Sequence, residues 1–310
     1  MNILKNYYIK STITILKETF SNFISDRGFK LSASLSYYTI FSLAPLLLLI
    51  ISSAGFFFGE DAIRGKIFSE LNGILGNEAA AQIQEVIKNT QLSGETNFAL
   101  AVGFGTLIFA ATTVFGEIQD SMNIIWKLKV QPKRGWLKFL KDRLQSSSII
   151  LGLGFLMIVL LLVNGILVAL NQWLINYFPD ITIVVFKILN VTLSFGVMTV
   201  LFGTIFKVLP DAHISWKEVK TGAFFTACLF MVGRFLIGLY IQTTNTGLAY
   251  GAAGSIIVIL VWVYYTAAIL YLGAQFTRAY ANFMGILIRP ASYAVFIQEI
   301  EVSKVDNLNT

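Results

Sequence analysis

Apolar positions in this chain run in blocks too long for an ordinary soluble helix. Stretches with no charge cover 31–59, 96–116, 144–179, 188–206 and 235–277. A helix rises about 1.5 Å per residue, so about 20 apolar residues cross the hydrocarbon of a bilayer. The 43-residue run at 235–277 would overshoot it twofold and must turn. Thr243-Thr244-Asn245-Thr246-Gly247 is polar and ends in glycine, which marks the turn. The run at 144–179 also overshoots, and Asn171, Gln172 and the Pro179-Asp180 pair mark its exit. The pattern predicts six transmembrane helices, at 32–57, 97–117, 146–170, 182–206, 219–241 and 252–277, in a single membrane domain spanning 1–310.

Two shorter patterns flank the first span. Ile9, Ile13, Leu16, Phe20 and Ile24 recur every three or four residues, with Lys10 and Lys17 off the stripe. That spacing predicts an amphipathic N-terminal helix lying on the inner membrane surface. Between the first two spans, 59–96 carries the stripes Ile63-Ile67-Leu71-Ile74 and Ala80-Ile83-Ile87, broken at Gly73 and Gly76-Asn77. A helical hairpin outside the membrane is expected there.

Composition agrees. Of 310 residues, 56% are hydrophobic and only 13% charged, half the charge of a typical soluble domain. Lysine and arginine number 5, 3, 7, 0, 3, 0 and 3 in the seven segments outside the spans. Basic residues stay on the cytoplasmic side, which puts both termini there. Six acids (Glu60, Asp61, Glu70, Glu78, Glu85 and Glu95) suit 59–96 to the outer face. No cleavable signal is expected, because the first apolar stretch is already span-length. One cysteine, Cys228, and one histidine, His213, exclude an internal disulfide and a His-His metal pair. The chain therefore reads as an all-α, polytopic membrane protein with no metal or cofactor.

Four segments resemble the YihY/BrkB family of bacterial inner-membrane proteins, once labelled ribonuclease BN. They are Ala33-Ser34-Leu35-Ser36-Tyr37-Tyr38-Thr39-Ile40-Phe41-Ser42-Leu43-Ala44-Pro45, Asp120-Ser121-Met122-Asn123-Ile124-Ile125-Trp126, Lys207-Val208-Leu209-Pro210-Asp211 with Trp216 and Gly222-Ala223, and Tyr250-Gly251-Ala252-Ala253-Gly254-Ser255 with Trp262-Val263-Tyr264-Tyr265 and Gly273-Ala274-Gln275. They occur in order over nearly the whole chain. The resemblance implies six helices with both ends inside, residence in the bacterial cytoplasmic membrane, and an association with envelope integrity and transport of lipid-type molecules. In one respect the chain departs from the family pattern: the family usually has Glu after Gly-Ala in the last span, where this chain has Gln275.

Polar groups inside spans are the candidate pathway residues. Ser34, Tyr38 and Ser42 share a helical face and Pro45 predicts a kink; the same groups would also serve helix packing. Thr113, Glu117 and Asp120 lie on one face of the second span, and Tyr264, Tyr271, Gln275 and Arg278 on one face of the last. Both faces end at the cytoplasmic rim, where Arg278 is expected to meet Glu117 or Asp120. Arg234 and Lys187 lie within spans with no acid nearby in sequence, so carbonyls, neutral side chains, water or an anionic ligand must satisfy them. The small residues of Tyr250–Ser255 suit a turn, and the basic run from Lys127 to Arg143 suits an inner-face determinant.

These features point to a transporter or flippase of a lipid or other amphipathic anion. A cation/proton antiporter or a non-transporting envelope scaffold is the alternative. A nuclease is not expected, since no cluster of carboxylates and histidines could act as acid, base or metal site. The expected partners are membrane lipids, anionic ones included, and not nucleic acid; an oligomer stays open.

Overall fold

The expected N-terminal stripe and the first apolar run form two helices joined by two residues. In a computed structural model that describes residues 2–75, 77–89, 113–131, 179–244, 254–286, 288–291 and 293–298, α1 is Asn2–Ser25 and α2 is Gly28–Phe58. Helix α2 runs uninterrupted through Pro45. The expected hairpin follows as α3 (Glu60–Leu75) and α4 (Asn77–Asn89). Helix α5 covers 113–125. Then come α6 (Pro179–Val208), α7 (Trp216–Thr244) and α8 (Gly254–Phe283). The span expected at 146–170, most of that at 97–117 and the turn at 245–253 lie outside the described residues.

Among the described residues, three helices are long and apolar enough to cross a membrane, through Val191–Val208 of α6, Trp216–Tyr240 of α7 and Ile256–Phe283 of α8. Helices α6 and α7 run two or three residues past the expected bounds at both ends, and α8 runs six past its expected end. The ends gain caps that hydropathy does not register: Ser215 Oγ accepts the Lys217 N–H at 3.3 Å, and Ser215 with Glu218 forms the Ser-x-x-Glu pattern of a capping box.

Helix α8 is the centre of the bundle, packed on α1, α2 and α7. At one end Leu47, Leu48 and Ile51 of α2 meet Ile63 of α3, Ile83 of α4 and Val258 and Ile259 of α8. The hairpin thus covers that end. At the other end the last turns of α5, α6 and α8 converge on the start of α7, around Met122, Ile125, Trp126, Phe206, Leu209, Val219 and Tyr271.

That second end also carries strands, which the all-helical expectation omits. Strand β1 (Leu128–Val130) pairs antiparallel with β4 (Ala294–Phe296), and β2 (Ala212–His213) with β3 (Arg289–Pro290). The segment after α8 therefore clasps the chain that follows α5 and the chain that follows α6. Strands of two or three residues paired across such sequence separations leave no alternating pattern to read.

Candidate functional site

The turn between α1 and α2 builds the first polar centre. The Asp26 N–H donates to the Asn22 carbonyl at 2.8 Å and the Arg27 N–H to that of Ile24 at 3.0 Å. Arg27 adopts φ 57°, a left-handed conformation that ends one helix and starts the next. The reversal buries Asp26. Its Oδ1 takes Lys127 Nζ at 2.6 Å, and its Oδ2 takes Gln275 Nε2 at 2.7 Å and Arg278 Nη1 at 3.5 Å. Arg278 Nη1 also donates to the Ile125 carbonyl at 2.8 Å. One carboxylate thus ties α1 to the ends of α5 and α8 by charge-assisted bonds.

The second centre is Asp211, buried in the turn after α6. Asn123 Nδ2 donates to Oδ2 at 2.7 Å, while Asn123 Oδ1 accepts the Asp211 N–H at 3.0 Å. Gln119 Nε2 and the Tyr293 hydroxyl donate to Oδ1 at 3.2 and 2.8 Å. The Asp211 carbonyl accepts the Ala291 N–H at 2.9 Å. Neutral donors from α5 and the C-terminal clasp thus hold this carboxylate. Asp120, on the outer side of α5, has its carboxyl pushed above the usual range by desolvation, then by the Glu117 and Asp211 carboxylates.

Between the two centres lies a buried seam of α5 and α8. Ser121 and Glu117 face the Tyr271 phenol. Ser121 Oγ, Tyr271 OH and Gln275 Oε1 are all buried along this seam.

Glu117, Asp120, Tyr271, Gln275 and Arg278 gather at one end of the bundle, and among the described residues the carboxylate that meets Arg278 is Asp26 rather than Glu117 or Asp120. Asp26 is the only acid between Glu18 and Glu60, and that scarcity is the signal that would have singled it out. Thr113 and Tyr264 are half-buried. Of the α2 trio, Ser42 is buried, Ser34 half-buried and Tyr38 exposed; the side chain that crosses to α8 is Ser36, whose Oγ donates to the Leu260 carbonyl at 3.0 Å. The side chains of Pro45 and Lys187 lie outside what is described. Arg234 is exposed on α7, beside Val232, Phe235 and Leu236, which are 61%, 67% and 55% exposed. Among the described residues, no three His, Cys, Asp or Glu side chains gather as a metal site.

Comparison with known proteins matches the chain to a family described as virulence factor BrkB, over residues 19–291. The chain is 28% identical to a UPF0761 membrane protein of Tolumonas auensis, over 81% of this chain and 80% of that one. It is 27% identical to a UPF0761 membrane protein of Psychromonas ingrahamii, over 81% and 82%. It is 23% identical to a putative ribonuclease-like protein, YfkH, of Bacillus subtilis, over 85% and 94%. No solved structure matches it.

Proposed function

The chain belongs to the virulence factor BrkB family of integral, multi-pass inner-membrane proteins, and from that premise we propose that it moves a lipid or another amphipathic anion across the bilayer. In this reading it has six spans with both termini cytoplasmic, and it catalyses no covalent chemistry. The observation that carries the proposal is Arg234. It projects from an apolar helix, in a segment able to cross the membrane, and its exposed neighbours are hydrocarbon. A bare guanidinium in that setting costs several kcal/mol.

The nearer end of the apolar segment is Tyr240, six residues or about 9 Å of helix away. The Cα–Cβ bond tilts toward the helix N-terminus, away from that end. Gly238, one turn on, leaves open space beside the helix, where an anionic headgroup can stand against the guanidinium. Phosphate is the natural counter-charge, since Arg binds it through paired donors.

The test is purified protein in vesicles carrying a fluorescent anionic lipid in one leaflet, with a pH dye in the lumen. Transbilayer movement that depends on the protein and slows in Arg234→Gln supports the reading. No movement above empty vesicles overturns it, and a proton flux driven by a Na⁺ or K⁺ pulse favours the antiporter instead.

A further inference from the structure

Helix α1 presents four kinds of surface in a fixed order around its axis, and that order identifies what covers it. Successive residues turn by about 100°. Ile15, Thr19, Phe23 and Asp26 form the buried flank, with Ile15 in one cluster with Phe276 and Ala279 of α8. Turning from Phe23, the next sector is Leu16, Phe20, Ile13 and Ile24, at 40%, 55%, 58% and 56% exposure. Lys17 and Lys10 follow, both exposed, and then exposed Ser21, Thr14 and Ser25. The sequence around the axis is protein, apolar, cationic, hydroxyl. A helix seated at a bilayer surface needs that order, with acyl chains beside the protein, headgroups next and water last.

We propose that α1 is a membrane-surface docking helix, with Leu16, Phe20, Ile13 and Ile24 set among acyl chains and Lys10 and Lys17 on anionic lipid headgroups. The helix enters α2 through only Asp26 and Arg27, so it lies where a membrane segment begins. Exposed Arg27 and Lys30 extend the cationic edge at that junction. The buried flank of the same helix holds Asp26 against Lys127, Gln275 and Arg278, so anionic lipid bound by α1 also steadies that centre. The inference is independent of what the protein moves.

The test uses full-length protein in Cys228→Ser background, with a nitroxide on Phe20→Cys or on Ser21→Cys, in phosphatidylcholine vesicles with and without phosphatidylglycerol. Collision with oxygen reports the apolar phase, and collision with a water-soluble nickel chelate reports the aqueous one. The expected result is a several-fold oxygen preference at position 20 and a chelate preference at 21, one residue away. Phosphatidylglycerol should deepen position 20, and Lys10→Gln with Lys17→Gln should abolish that deepening while leaving the oxygen preference. Equal chelate access at 20 and 21 overturns the docking. Dipolar broadening between labels at 20 overturns it in favour of a second copy of the chain. A depth indifferent to phosphatidylglycerol overturns the headgroup contact.

Discussion

Gly222 of α7 lies directly beneath Thr277 of α8, and Thr226 of α7 lies over Gly273 of α8 in return. A Cβ built on Gly222 would fall 2.8 Å from Thr277 Cβ, and one built on Gly273 2.9 Å from Thr226 Cβ. Each threonine hydroxyl donates to the carbonyl of the glycine four residues before it, Thr226 to Gly222 at 2.7 Å and Thr277 to Gly273 at 2.8 Å. The two helices therefore share one small-residue contact used twice, with every hydroxyl satisfied, which is how apolar helices associate without a hydrophobic drive. Gly222→Ala should destabilise the folded protein by about 1–3 kcal/mol through overpacking. Gly196→Ala, on α6 with nothing within 4 Å of its added carbon, should be neutral or stabilise by up to about 1 kcal/mol from helix propensity. Thermal unfolding in detergent separates the two, and equal effects would refute the contact.

Gln275 gives Asp26 a neutral donor where the family resemblance leads one to expect an acid. With Glu at position 275, two carboxyl groups would meet at the 2.7 Å now spanned by the amide bond, so Gln275→Glu should lower the melting temperature by replacing a hydrogen bond with a like-charge contact. Asp26→Asn should lose about 2 kcal/mol, less than for a fully buried pair, because the Lys127 and Arg278 side chains stay about a fifth exposed. Melting curves test both.

Hydropathy could see α2, α6, α7 and α8 because uncharged length is what a bilayer selects, and it could see the hairpin α3–α4 because glycine interrupts two apolar stripes. It could also bring Gln275 and Arg278 to one rim, since helical spacing fixes a face. It could not name Asp26 as their partner. That contact depends on a left-handed Arg27 that folds α1 back onto α8, and no local pattern announces such a turn outside glycine. Nor could it join Asn123 to Asp211, although both stand in segments that carry the family resemblance. The resemblance flags residues one by one, and only the clasp formed by β1–β4 and β2–β3 shows that two of those segments hold one hydrogen-bonded pair.

Asp120 should act against stability at neutral pH. Its carboxyl is raised above the usual carboxylate range by desolvation, then by the Glu117 and Asp211 charges. The folded state thus holds the proton to higher pH than the unfolded state does. The stability that protonation contributes is complete below the unfolded value and declines as pH rises through the folded one. Asp120→Asn should remove that decline, giving a flatter stability profile above pH about 4 and a higher melting temperature near neutrality. A variant that melts lower than the parent at neutral pH would show that the carboxylate is instead a net asset to the fold.

Arg27 and Lys127 share an unusual backbone and should respond to glycine in opposite directions. Their φ angles are 57° and 54°, in the left-handed region that costs a non-glycine residue about 1–2 kcal/mol. The Arg27 side chain is exposed, so Arg27→Gly should relieve the backbone at little expense. The net gain should be up to about 1 kcal/mol after the extra freedom of the unfolded chain is subtracted. Arg27→Ala should gain nothing, because alanine keeps the Cβ. Lys127→Gly relieves the same strain but removes the ammonium 2.6 Å from Asp26 Oδ1. It leaves a buried carboxylate one cation short, a loss that outweighs the relief. A higher melting temperature for Arg27→Gly beside a lower one for Lys127→Gly is the expected pair. A gain in both would mean that the Asp26 bridge contributes less than the strain of the turn that presents it.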